Sequence, residues 1–109
     1  MSNLHNNLQS KIISGIELNR LIVREKLKDR KIVFTNGCFD ILHRGHIEYL
    51  MAAANLGDIL IVGLNSDNSV KRIKGPTRPV QDQESRSKVI ASLYFVSFVE
   101  FLKKTRHSI

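Results

Sequence analysis

The sequence predicts an α/β fold, a doubly wound parallel sheet cut short after about its third strand. Two observations carry this. Short apolar runs of strand length, at residues 32–35 and 59–64, flank a segment with helical spacing. A further apolar run at 95–101 follows a second helical segment. The order β, α, β, loop, α, β gives parallel strands joined by right-handed crossovers.

Residues 1–11 are polar, rich in Asn and Ser, and lack the apolar centre and small-residue cleavage site of a secretion signal. Residues 12–28 carry Ile12, Ile13, Ile16, Leu18, Leu21, Ile22 and Leu27 at imperfect helical spacing, which predicts one or two surface helices. A charged break at 28–31 precedes the first strand, which is β-branched apart from Phe34. Residues 36–40 form a turn in which Gly37 is expected to supply a positive φ. From Gly45 onward Ile47, Leu50, Met51 and Ala54 recur at helical spacing, with Gly57 expected as a left-handed cap. Residues 65–81 are polar and contain Gly75, Pro76 and Pro79, so they read as loop with one helical turn near 69–73. Asp82 then caps a helix over 82–93 that turns Val89, Ile90 and Leu93 toward a core.

A length of 109 residues allows one small domain, and 42% apolar with 25% charged residues reads as globular. No apolar stretch approaches the roughly 18 residues of a membrane span. The lone Cys38 allows no internal disulfide, so a reducing, cytoplasmic location is expected. The net charge of +7 raises nucleic acid as a partner, but Lys103, Lys104 and Arg106 in the terminal tail supply three of those charges. The remaining excess lies mainly between Lys71 and Lys88, no aromatic row accompanies it, and it suits a phosphorylated small molecule. No nucleic-acid and no membrane partner is expected.

The densest chemistry is the segment Thr35-Asn36-Gly37-Cys38-Phe39-Asp40-Ile41-Leu42-His43-Arg44-Gly45-His46, between the first strand and the next helix. Ligands of parallel sheets sit at the carboxyl ends of the strands, where this segment lies. Gly45 leaves room for a phosphate at the first helical turn, where free N–H groups and the helix dipole favour an anion. His43 and His46, three apart, are expected on one helical face, donating to a single polyphosphate. The plainer readings are a structural or solvated His pair and an Asp40 that only caps a helix. No third ligand stands at zinc spacing, so no protein-held metal is expected. Cys38 has no partner base in sequence and reads as a small buried filler.

The pattern Gly37-x-Phe39-Asp40-x-x-His43-x-Gly45-His46 resembles the signature of the cytidylyltransferase-like superfamily, the HxGH nucleotidyltransferases. The resemblance covers about residues 31–101. The stretch Leu64-Asn65-Ser66-Asp67 through Lys74-Gly75-Pro76-Thr77-Arg78-Pro79-Val80 is similar to the corresponding loop of ADP-heptose synthases, and Glu84-Ser85-Arg86 matches the family's Glu-x-Arg. The resemblance implies a Rossmann-like sheet of the nucleotidyltransferase type. It divides the chain into a helical lead-in (1–30), a partial catalytic domain (31–101) and a tail (102–109) that departs from the family.

It also implies roles. His43, His46 and Lys74 would be catalytic, contacting ATP phosphates and the leaving pyrophosphate. Thr35, Asn36, Gly37, Phe39, Asp40 and Gly45 would line the nucleotide site. Asn65 and Asp67 would lie near nucleotide or sugar hydroxyls, Lys71 would meet phosphate, and Arg86 would brace the polyphosphate. The plainer readings are a solvated basic loop for Lys71, Arg72 and Lys74, and a surface ion pair with Asp82 or Glu84 for Arg86.

The implied reaction is AMP transfer from ATP to D-glycero-D-manno-heptose 1-phosphate, releasing pyrophosphate, for lipopolysaccharide core or surface polysaccharide synthesis. Mg²⁺ would be bridged by the nucleotide phosphates. Sister readings are a glycerol 3-phosphate cytidylyltransferase, an FAD-synthetase-like enzyme, or an inactive nucleotide-binding fragment. A heptose kinase is the implied functional partner, and a homodimer is left open. For one choice of codons, residues 101–109 read two bases later give Phe-Glu-Glu-Asp-Thr-Pro, the text the family carries there, so the tail is expected to be out of frame.

Overall fold

The computed structural model describes residues 2–102, so the stretch 102–109, expected to be an off-family tail, lies outside the described residues except for Leu102. The elements are α1 (Ser2–Gln9), α2 (Gly15–Leu27), β1 (Ile32–Gly37), α3 (Arg44–Ala54), β2 (Ile59–Asn65), α4 (Asp67–Lys74), α5 (Gln83–Ala91) and β3 (Phe98–Leu102). The strands form one parallel sheet in the order β1-β2-β3. Ile32 lies opposite Ile59 and Gly37 opposite Leu64, so β1 and β2 end level with one another.

Strand alternation sorts the core onto the two faces of this sheet. Leu60, Val62 and Leu64 of β2 cluster with Leu50 and Ala53 of α3 and with Ile90 and Ala91 of α5. Ile59 and Ile61 point the other way and cluster with Leu18 and Leu21 of α2. All seven residues of β2 are buried, which is why its sequence is a continuous apolar run and not an alternating one. Each fully buried Leu or Ile contributes about 1.5–3 kcal/mol.

Helices α3, α4 and α5 each have a side-chain cap. Ser66 Oγ accepts from Ser69 N at 3.2 Å, and Asp82 Oδ1 accepts from Ser85 N at 2.8 Å. The Asp82 cap and the doubly wound sheet follow the sequence expectation. Other expectations shift. The polar start forms α1, whose Leu8 packs against the core. The loop at 65–81 contains the whole of α4, and β3 begins at Phe98 because residues 92–97 turn sharply, with Val96 N donating to the Leu93 carbonyl at 3.1 Å.

Gly57 is not a left-handed cap. The residues in that region of backbone space are Asp29, Phe39, Gly15 and Gly75 among those described. A Cβ at Gly57 would stand 2.8 Å from the Lys31 carbonyl oxygen, so the glycine is needed for close approach to the chain entering β1.

The segment before α2 joins the sheet. Ile12 bridges Val99 in parallel, with Ile13 N donating to the Val99 carbonyl at 2.9 Å and Val99 N to the Lys11 carbonyl at 2.8 Å. Lys11 Nζ donates to the Ala91 carbonyl at 2.9 Å, fixing the same segment to the end of α5. No helix among the described residues is long and apolar enough to cross a membrane.

Candidate active site

Beyond β1 the chain turns through Cys38 to Asp40. Phe39, and not Gly37, takes the positive φ, at 46°. Its ring folds back over Gly37, where a Cβ would lie 2.5 Å from Phe39 Cε2. Gly37 is therefore required by contact with the Phe39 ring. The same ring meets His46 edge-on, with centroids 5.4 Å apart.

His43 and His46 are paired more closely than a shared helical face requires. His43 is the N-cap of α3, with an extended φ of −139°, and stands outside the helix. Its Nδ1 accepts from Gly45 N at 3.1 Å, while His46 Nδ1 accepts from His43 N at 3.2 Å. The two rings lie 4.0 Å apart at 33°. A neutral imidazole whose Nδ1 accepts an N–H carries its proton on Nε2. Both rings therefore keep an Nε2–H as donor. Gly45 permits the folded-back ring, since a Cβ there would stand 2.9 Å from His43 Cε1. Burial, then the neighbouring His43 and Lys74, hold the His46 pKa below its ordinary 6.5.

A cavity of about 490 Å³ opens at this point. Among the expected residues it is lined by Asn36, Gly37, Phe39, Asp40, His43, His46 and Lys74. Lys74 ends α4 at the carboxyl pole of its dipole, beside Gly75 with φ 108°. Tyr49 and Arg78 also line the cavity, and the sequence reading passed over both. Tyr49 lies one turn beyond His46, with its hydroxyl 2.7 Å from Thr35 Oγ1. Its position on the helix was the signal available for it. Arg78 stood in a polar loop with no pattern to single it out.

Other expected residues sit apart from the lining. Thr35 is buried beneath Tyr49. Gly45 lies behind the His43 ring it donates to. Asn65 is buried and donates from Nδ2 to Ser69 Oγ at 2.9 Å. Lys71 is exposed on α4 outside the cavity lining. Arg86 is not a surface residue at all: it is 1% exposed and ion-paired with Asp67 at 2.8 Å. Its Nη1 donates at 2.8 Å to the carbonyls of both Cys38 and Asn65, and its Nε donates to that of Gln81 at 3.0 Å. It braces the loops beneath the cavity from inside.

Asp40 is equally committed. It accepts from Val80 N at 2.8 Å, from Gln81 N at 2.9 Å and from Arg78 Nε at 2.6 Å. Burial works to raise its pKa, but the Gln81 and Val80 N–H groups and the Arg78 guanidinium outweigh it and bring it to about 2. Asp40 is thus an anionic clamp on the segment after α4.

The sequence model of the family described as cytidylyltransferase-like matches residues 34–105, which take in the cavity, β2, β3 and all of β1 but its first two residues. The chain belongs to the cytidylyltransferase-like family. It is thereby grouped with nucleotidyltransferase enzymes. Among curated relatives it is 50% identical over 95 residues to the bifunctional protein HldE of Trichlorobacter lovleyi, covering 87% of this chain and 19% of that protein. It is 58% identical over 91 residues to the bifunctional protein HldE of Campylobacter jejuni subsp. doylei, covering 84% of this chain and 19% of that one. The chain therefore spans about 19% of the length of these relatives. In structure it is similar to the lipopolysaccharide core biosynthesis protein of Thermoplasma volcanium, with a TM-score of 0.63 and 34% identity over 67% of this chain and 58% of that one.

Proposed function

We propose that this chain carries the nucleotide-handling part of an adenylyltransferase that moves AMP from ATP to D-glycero-D-manno-heptose 1-phosphate. An oxygen of the sugar 1-phosphate attacks the α-phosphorus of ATP, the bond to the β-phosphate oxygen breaks, and pyrophosphate leaves. The observation that carries this reading is the pair of Nε2–H donors at the start of α3, in one cavity with Lys74. His43 and His46 hold phosphate oxygens, and Lys74 offsets charge on the leaving pyrophosphate. The likeness to HldE proteins favours the heptose substrate, and a sugar kinase is the matching partner activity.

Mg²⁺ fits this site only as a guest of the nucleotide. The lining carboxylate, Asp40, is taken up by two backbone N–H groups and Arg78, and no cluster of three His, Cys, Asp or Glu occurs among the described residues. The metal would be held by the nucleotide and would supply charge neutralisation for its phosphates. We assign residues 31–101 to this catalytic half and residues 1–30 to a lead-in clipped onto it, in the cytoplasm, and leave homodimerisation to a sizing experiment.

The test is pyrophosphate release with ATP or CTP against heptose 1-phosphate or glycerol 3-phosphate. Release with ATP and heptose 1-phosphate is expected, and His46→Ala should lower turnover far more than it weakens ATP binding. Release with CTP and glycerol 3-phosphate, or nucleotide binding with no turnover on any acceptor, would overturn the proposal.

A further inference from the structure

The cavity is lined by nitrogen donors on three separate segments. His43 and His46 stand at the start of α3, Lys74 at the end of α4, and Arg78 on the segment that follows. Arg78 differs from the others in how it is held. Its Nε donates to Asp40 Oδ2 at 2.6 Å, and its side chain is 33% exposed. Nη1 and Nη2 make no hydrogen bond to a described residue. Asp40 is itself immobilised by Val80 N and Gln81 N and is 4% exposed. One edge of the guanidinium is therefore pinned to a buried anion, and Arg78 lines the cavity with its two terminal nitrogens outside that bond.

Two phosphates must meet in the proposed reaction, and they repel. The imidazoles each offer a single donor, which suits oxygens strung along a polyphosphate. A guanidinium offers two parallel N–H groups, which match two oxygens of one terminal phosphate. Neutralisation by Asp40 also spares the cavity a further strong charge when empty.

We propose that Arg78, oriented by Asp40, is the anchor for the phosphate of the acceptor, a sugar 1-phosphate, and that Asp40 is its positioning residue. The assignment rests on the adenylyl-transfer reading and adds the second anion station which that reading requires. It makes Arg78 a determinant of acceptor affinity and not of nucleotide affinity.

Binding, which needs no turnover, tests it on the full 109-residue chain. Calorimetric titrations use two probes, an ATP analogue with a methylene between the α- and β-phosphates, and heptose 1-phosphate added to the analogue complex. Arg78→Lys keeps a cation beside Asp40 but loses the fork, and should weaken heptose 1-phosphate by about tenfold or more while the analogue changes by less than about twofold. Asp40→Asn leaves Arg78 in place but unpinned, and should also weaken the sugar phosphate selectively. Arg78→Gln, which removes the charge, repeats the test should the lysine variant show a lowered thermal midpoint. An unchanged sugar phosphate affinity, or a parallel loss of both probes, would overturn the assignment. If the wild-type chain binds the analogue but no sugar phosphate, Arg78 loses its role while the nucleotide site stands. If it binds neither, the adenylyl-transfer reading falls as well.

Discussion

Arg86 and Asp67 form an ion pair of 2.8 Å in which the guanidinium is 0% exposed and the carboxylate 34% exposed. The remaining donors of Arg86 go to the carbonyls of Cys38, Asn65 and Gln81, so one side chain joins the ends of β1 and β2 to the segments flanking α4 and α5. Removing one partner of a buried ion pair strands the other and its neighbours. Arg86→Met should therefore destabilise the fold by about 3–5 kcal/mol in urea unfolding. Arg86→Lys should not restore it, since an ammonium cannot reach four oxygens arranged for a planar fork. A stable Arg86→Met variant with weakened phosphate binding would instead return Arg86 to the ligand.

Two glycines should respond differently to an added methyl. At Gly57 the obstacle is the Lys31 carbonyl oxygen at 2.8 Å, which cannot move without shifting the entry to β1. Gly57→Ala should cost about 1–3 kcal/mol, read as a lowered thermal midpoint. At Gly45 the obstacle is the ring of His43, with Cε1 at 2.9 Å, which can swing away. Gly45→Ala should leave the midpoint nearly unchanged but lower ATP affinity, because the His43 cap is displaced. Equal effects on the midpoint would refute this distinction.

The histidine pair makes a spectroscopic prediction. Long-range ¹H–¹⁵N correlation should show both His43 and His46 as the Nε2–H tautomer at neutral pH, with His46 titrating below 6.5. Because the folded value is lowered, the neutral ring's contribution to stability is complete above 6.5 and falls as pH drops through the folded value. A bound phosphate reverses the bias, so nucleotide binding near pH 6 should take up protons, measurable by titration in buffers of different ionisation enthalpy. An Nδ1–H tautomer on either ring would contradict the backbone bonds described.

Asp40 sets a limit on the acid side. Its carboxyl falls from 3.8 to about 2 on folding, so its contribution is complete above 3.8 and is lost as pH falls through about 2. Urea midpoints at about pH 5 and pH 3 should converge in Asp40→Asn relative to wild type. An Asn variant with the same acid sensitivity as wild type would place that sensitivity elsewhere.

How much of this was legible in the sequence follows from how local each cause is. The strands β1 and β2 could be read because burial on both faces writes a continuous apolar run. The segment 35–46 could be read because turn, cap and histidines lie within a dozen residues. Arg86 could not, since its partners Cys38 and Asn65 lie 48 and 21 residues away and an arginine is ordinarily at the surface. Arg78 depended on Asp40, 38 residues earlier, for its orientation. The fold of Phe39 over Gly37 also lay beyond composition, which supported a positive φ in that turn without saying which residue would take it.

The clasp of residues 11–13 on β3 has a thermodynamic side. Lys11 reaches the Ala91 carbonyl across 80 residues of sequence, and Lys11 and Ile13 complete the hydrogen-bond ladder at Val99. Loosening the beginning of the chain exposes the strand edge at its far end, and fraying of that strand releases the beginning. The two extremities of the described chain thus share one opening equilibrium, and amide exchange at Ile13 and Val99 reports on both at once.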